Sequence, residues 1–185
     1  MSPQTRIVID MDGVMAHTYV CFIDLYEQRF GRRPEREELL GRKVYDLPGG
    51  AEIRRAMYEP GFFRTPAVME GAVAAVRELY DNYEVFVVST ASEFKHAYLD
   101  KWEWLHEHFP FVSFKRIVFC GDKRIVHGDY MIDDKVRNLR GFNGKGLLFD
   151  ALDNHYDEGF HRVHDWGEIT EYFRAERRRA MAISG

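Results

Sequence analysis

The chain has 185 residues, with 26 Lys and Arg against 30 Asp and Glu for a formal net charge of −4, and is 45% hydrophobic and 15% aromatic. That length and apolar content suit one ordinary domain with a packed core and exclude a disordered chain. The slight acidity excludes the basic footprint of a nucleic-acid polymer binder, and no apolar run approaches the ~20 residues of a membrane helix.

The N-terminal MSPQTR has no apolar stretch of the secretory-leader kind. It runs into Arg6-Ile7-Val8-Ile9, a nearly unbroken apolar segment suited to a strand covered on both faces. Residues 16–68 contain no strand pattern. TYVCFIDLYEQRFG (18–31) reads as a helix with Phe22, Leu25 and Tyr26 inward and a stop at Gly31. RPEREELLG starts another, with Pro34 at an early position, and GAEIRRAMYEPGFF supplies a third that breaks at Pro60-Gly61. These segments form a small helical insert whose aromatics mostly make its own core.

EGAVAAVRELYDNY (70–83) is the next helix, with Val73, Val76 and Leu79 or Tyr80 on one face, followed by the strand EVFVVST (84–90). KHAYLDKWEWLHEHF (95–109) reads as a helix with Tyr98, Leu99, Trp102 and Leu105 on one face. The strands RIVFC (116–120), DYMID (129–133) and GLLFD (146–150) follow, with a short helix KVRNLRGF (135–142) and a closing helix WGEITEYFRAERRR (166–179). Strands alternating with helices give an α/β fold, a Rossmann-like three-layer α/β/α core with a parallel sheet. The expected division is 1–15 and 69–185 for the core and 16–68 for the helical cap inserted after the first strand. The arginines 174, 177, 178 and 179 read as a solvated helix face. Cys21 and Cys120 read as reduced core residues, and a cytoplasmic location is expected.

In an open parallel sheet, ligands lie beyond the carboxyl ends of the strands. Asp10 and Asp12 end the first strand, Ser89 and Thr90 the second, and Asp133 and Asp134 the fourth, while Lys123 sits in the loop after RIVFC. Singly, each has an ordinary reading: a Ser-Thr pair caps a turn, an Asp pair caps a helix, and a lone lysine is solvated. An EF-hand is excluded because VMAHTYVC, not a run of acids, follows DMDG. A zinc cluster drawn from His106 and His108, or from His155, His161 and His164, lacks the usual ligand spacing.

Together the residues match phosphoryl transfer. Carboxylates gathered at one edge need a divalent cation, and oxygen ligands suit Mg²⁺. Asp10 is placed to attack phosphorus, Asp12 to protonate the leaving oxygen and deprotonate water, and Thr90 and Lys123 to hold phosphate oxygens. A receiver-like phosphoacceptor domain uses similar groups, but with the acid pair at the first strand and no helical insert.

The order DMDGV, VVST, GDK, YMIDD resembles the four motifs of the haloacid dehalogenase-like (HAD) phosphohydrolases, and within them the chain is most similar to the 5'(3')-deoxyribonucleotidases. The longer segments EPGFFRTPAVMEGAVAAVREL, DKWEWLHEHFPF and IVFCGDKRIVHGDYMIDD carry the same resemblance. It implies Asp10 as nucleophile and Mg²⁺ ligand, Asp12 as acid–base residue with its backbone carbonyl on the metal, Asp134 as third ligand and Asp133 in support. It also implies phosphate contacts from Thr90, Lys123 and Lys101, and an aromatic, Phe63, packed on the base. Thr90-Ala91 departs from the Thr-Ser of animal members, and Thr18 and Met57 stand where those carry further aromatics. The implied substrate is a deoxyribonucleoside 5'- or 3'-monophosphate, with no nucleic-acid polymer and no membrane as partner and a homodimer left open. A sugar or amino-acid phosphate is the alternative substrate.

Overall fold

The computed structural model describes residues 4–184; the first three residues of the MSPQTR segment and Gly185 lie outside the described residues. Six parallel strands form one sheet in the order β3-β2-β1-β4-β5-β6, comprising β1 (Arg6–Ile9), β2 (Glu84–Ser89), β3 (Ile117–Phe119), β4 (Tyr130–Asp133), β5 (Lys145–Phe149) and β6 (His161–Val163). The helices are α1 (Thr18–Phe30), α2 (Arg36–Leu39), α3 (Gly50–Arg55), α4 (Ala72–Asn82), α5 (Ala97–His108), α6 (Val136–Arg140) and α7 (Trp166–Ser184). The α/β class expected from the sequence, a parallel sheet with helices on both faces, is the one observed. The strand β6 was not legible, because its three residues, His-Arg-Val, carry no apolar run.

Ile7 and Ile9 pack in one core layer with α4, α5 and α7, and Val8 in the other with α6. Being covered on both faces is why β1 is apolar throughout rather than alternating. From β1 the chain crosses to β2 on one side, and later returns to β4 on the other. Such a reversal of strand order opens a crevice at the carboxyl ends, here between β1 and β4.

Between β1 and β2, α1 to α3 and their connecting turns bury their own apolar cluster of Phe22, Ile23, Tyr26, Leu39, Val44, Leu47 and Ile53. The chain leaves and re-enters the sheet layer at adjacent points, where His17 N donates to Ala67 O at 2.8 Å and Met69 N to Met15 O at 2.8 Å. Asp100 on α5 ties the returning segment down, accepting from Gly61 N at 2.9 Å and Phe63 N at 3.3 Å.

Two helix faces differ from expectation. In α5 the buried stripe is Ala97, Asp100, Lys101, Trp104 and Leu105, while Tyr98, Leu99 and Trp102 are exposed. An apolar count rotates the helix because two of its inward positions are charged. In α4 the alanines 72 and 75 face inward with Val76 and Leu79, and Val73 is exposed. Leu25 of α1 is half-buried rather than in the insert core, where Ile23 takes its place. No described helix is long and apolar enough to cross a membrane. Cys21 and Cys120 are both free thiols.

Candidate active site

The loop after β1 keeps the alternation of the strand for three more residues. Met11 is buried in the core, and Asp10 and Asp12 on either side of it line the crevice. Val14, Met15 and Ala16 are fully buried, and the Trp166 indole donates to Val14 O at 2.9 Å, so the loop is fixed from below. Gly13 sits at φ +77, and a Cβ there would lie 2.5 Å from Asp134 Oδ2. Glycine is required twice, for the backbone angle and for the close approach of Asp134.

A cavity of about 290 Å³ opens over these strand ends, walled by Asp10, Asp12, Thr90, Lys101 and Asp134 from the sheet side. From the insert, Thr18, Tyr19, Phe22, Lys43, Tyr45, Arg54, Met57 and Phe63 close it. Arg54 reaches Glu93 of the opposite rim at 2.5 Å.

Asp10, Asp133 and Asp134 each offer a carboxylate oxygen within 4.8 Å of the others, the group able to hold a metal ion among the described residues. Their hydrogen bonds separate them. Asp133 is fully buried and saturated by Lys123 Nζ at 2.6 Å, Lys135 N at 2.8 Å and Asn138 Nδ2 at 3.0 Å. Asp134 has Oδ2 on Lys135 Nζ at 2.8 Å but Oδ1 buried with no partner. The free lone pairs on the cavity side therefore belong to Asp10 and Asp134, and Asp133 serves as a clamp.

Burial raises the Asp10 carboxyl to about 6, opposed by Lys123 and reinforced by Asp133 and Asp12. Burial likewise raises Asp134 to about 6, with Lys135 opposing and Asp10 and Asp153 adding to it. For Lys123, burial works against the charge, but Asp10 at 2.6 Å and Asp133 outweigh it and hold the ammonium above its ordinary range. Lys135 behaves in the same way between Asp134 and Asp153. Four acids thus meet two ammonium groups, which is the charge deficit a divalent cation would fill.

Asp12 occupies a different position. Thr18 Oγ1 donates to its Oδ1 at 3.0 Å, and Ser89 Oγ to its Oδ2 at 3.4 Å. Lys101 Nζ is also bonded to Oδ2 and donates to Ser89 Oγ at 2.8 Å. Lys101, read from the sequence as a phosphate contact, is therefore seated on the acid–base candidate, with its Nζ 4.4 Å over the Phe63 ring. Phe63 lines the cavity but is only 2% exposed, packed with Phe94, Ala91 and Ala97. Thr90 lines the cavity directly. Lys123 lies behind Asp10, with Asp10 and Asp133 as its partners.

Several residues of the site carry no motif signal. Thr18, Lys135, Asn138, Asp153 and Asn154 are placed by the insert and by the turns after β4 and β5. Of these, Thr18 is marked in the sequence only as a departure from the aromatic of animal members, and Lys135 stands next to the acid pair in IDDK.

Residues 4–178 match the family model described as 5' nucleotidase, deoxy (pyrimidine), cytosolic type C protein. A 5'(3')-deoxyribonucleotidase of Bacillus subtilis is 38% identical over 167 residues, 88% of this chain and 95% of that protein. In structure, a haloacid dehalogenase-like hydrolase of Streptococcus pneumoniae superposes with a TM-score of 0.60 at 15% identity, covering 94% of this chain and all of the other. A HAD-type hydrolase of Bacillus subtilis bound to magnesium superposes with a TM-score of 0.57 at 10% identity, over 94% of this chain and all of that one.

Proposed function

The chain belongs to the 5' nucleotidase, deoxy (pyrimidine), cytosolic type C family and is a phosphoric monoester hydrolase, and from that premise we propose that it removes phosphate from deoxyribonucleoside 5'- or 3'-monophosphates through an aspartyl-phosphate on Asp10, with Mg²⁺ as cofactor. The observation that carries this reading is the facing pair of Asp10 and Asp134, the latter with a buried oxygen that nothing in the chain satisfies.

The residues fit a hard divalent cation. The donors on the cavity side are carboxylate oxygens, the site has an excess of negative charge, and Gly13 leaves room that a side chain would fill. Asp10 and Asp134 Oδ1 would hold it, with the Asp12 backbone carbonyl that the family resemblance adds. Bound there, Mg²⁺ screens the repulsion between the Asp10 carboxylate and a phosphate dianion and neutralises charge on the transferring group.

Asp10 attacks phosphorus through the oxygen that Lys123 does not hold. Lys123, fixed by Asp133, keeps Asp10 ionised and oriented, and the Met11 N–H on Oδ1 at 2.8 Å adds a second restraint. The Thr90 hydroxyl is free to donate to a phosphate oxygen. Asp12, oriented by Thr18, Ser89 and Lys101, gives its proton to the leaving sugar oxygen and takes one from the water that cleaves the acyl-phosphate. Phe22, Tyr45 and Met57 supply the apolar wall for a nucleobase, and the insert that carries them acts as a cap.

The two unpaired cysteines fit a reducing compartment, and we place the enzyme in the cytoplasm. The test is phosphate release from a panel of nucleoside, deoxynucleoside and sugar monophosphates. Deoxyribonucleotides should be turned over fastest; a sugar or amino-acid phosphate that outperforms them all would replace the substrate assignment.

A further inference from the structure

We infer that Asp153, outside every motif of the phosphohydrolase signature, is a positioning residue for the cation: its Oδ2 holds Lys135 against Asp134, and its free Oδ1 accepts a hydrogen bond from a water of the cation's hydration shell. The inference rests on the functional reading above, which puts a hydrated divalent cation between Asp10 and Asp134.

Two lysine-bridged carboxylate pairs flank the crevice. Lys123 joins Asp10 and Asp133 at 2.6 Å each, and Lys135 joins Asp134 at 2.8 Å and Asp153 at 2.6 Å. In each pair one acid faces the cation position and the other holds the ammonium. The pairs differ in one respect: Asp133 has every oxygen satisfied, whereas Asp153 does not. Its side chain is 5% exposed, its Oδ1 is buried without a hydrogen-bond partner, and the residue lines the cavity beside Asp134.

A buried carboxylate oxygen with nothing to accept from is costly, and it persists where a ligand or water completes it. The nearby Tyr19 hydroxyl cannot do so, since it donates to Arg42 O at 2.6 Å. Asp153 cannot turn away either. Its 3-10 turn, Leu152–Asn154, is pinned by Asn154 Nδ2 on Asp134 O at 2.8 Å, by Arg162 on Asn154 Oδ1 at 2.7 Å, and by Gly41 N on Leu152 O at 2.8 Å. Mg²⁺ retains several waters, and each directs its protons outward, toward an acceptor in that position. Without Asp153, Lys135 would have Asp134 as its one carboxylate partner and would compete with the cation for it.

The experiment is calorimetric titration of metal-stripped protein with MgCl₂, with thermal melting as the check on folding. In Asp153→Asn the amide oxygen must face Lys135, which turns an NH₂ donor toward waters that are themselves donors. The Mg²⁺ dissociation constant should rise about 10–100-fold, the usual loss for an outer-shell partner. Asp46→Asn removes an exposed carboxylate that accepts from Lys43 N and should leave it unchanged. Asp153→Glu keeps the charge but carries the oxygen past Lys135. It should also lose affinity, and it stands in if the asparagine variant melts early. An Asp153 variant with wild-type melting and wild-type Mg²⁺ affinity overturns the inference alone. Wild-type protein that takes up no Mg²⁺ overturns the functional reading and this inference with it.

Discussion

Lys101 and Asp12 form an ion pair at the floor of the cleft, with the ammonium 1% and the carboxylate 28% exposed. The two residues are 89 positions apart, and the contact makes α5 part of the catalytic apparatus. Asp100, the preceding residue on the same helix, holds the backbone of Gly61 and Phe63 where the insert returns. One turn of helix therefore fixes both the acid–base candidate and the wall of the substrate cavity.

Lys101→Met should keep the hydrophobic packing of the stem and lose the contact with Asp12. A misplaced catalytic group costs up to ~10²-fold, so kcat should fall by about 10–100-fold with KM little changed. Steady-state kinetics on a deoxynucleotide distinguish the roles. A rise in KM at constant kcat would mark Lys101 as a ground-state phosphate contact instead.

Gly13→Ala should disable the site. A left-handed backbone costs a non-glycine residue on the order of 1–3 kcal/mol, and the new Cβ meets Asp134 Oδ2 at 2.5 Å. Melting temperature and Mg²⁺ affinity should both drop. A variant with wild-type Mg²⁺ titration would show that Asp134 moves aside without consequence and is no ligand.

Metal removal is the broadest test. Chelation should abolish turnover, and Mg²⁺ should restore it. Because a ligand bound only by the folded state stabilises it by mass action, Mg²⁺ at 100 times its dissociation constant should add about 2.7 kcal/mol, read as a higher melting temperature. Undiminished activity after exhaustive chelation would end the proposed mechanism.

How much of this was readable depends on whether a residue's partner lies close in sequence. Asp10 and Asp12 announce themselves because period-two alternation puts both on one side of a strand end, and Asp133-Asp134 does so because a buried apolar strand runs into two acids. Lys101 defeats the same logic. Its inward position, with Asp100 beside it, made the apolar side of α5 look like the one bearing Leu99 and Trp102, which faces out. Asp153 gave no signal at all, since its tie to Asp134 runs through Lys135 in space. Phe63 was legible as a cavity residue, but not as the ring beneath the Lys101 ammonium.

That placement sets an expectation for Phe63→Leu. The change deletes three buried carbons and should cost about 2–3 kcal/mol at ~0.8 kcal/mol per buried methylene, less than the ~5–15 kcal/mol stability of an ordinary domain, so the fold should hold. A ring buried against Lys101 and Phe94 acts through Asp12's partner, so turnover of a deoxynucleotide and of a small aryl phosphate should fall together. A loss confined to the nucleotide, on the order of 1–3 kcal/mol, would show base stacking on this ring.

Asp10 and Asp12 can be told apart by trapping. Asp10→Asn should abolish covalent phosphorylation, since a neutral amide is a poor nucleophile. Asp12→Asn should act on the second half-reaction. A substrate with a good leaving group needs little protonation, so Asp10 can still be phosphorylated, whereas the attacking water has lost its base. The variant should accumulate an acid-stable, hydroxylamine-sensitive acyl phosphate, found as a mass gain on the tryptic peptide spanning residues 7–29. General acid–base catalysis contributes ~10²–10⁴-fold, so steady-state turnover should be slowed by that order rather than stopped. With its oxygen accepting from Lys101 and Ser89 and its NH₂ donating to the Thr18 hydroxyl, the new amide keeps all three neighbours, so its effect reports chemistry rather than a displaced loop. Wild-type turnover in Asp12→Asn, or label on Asp133 or Asp134, would reassign the roles of the two acids.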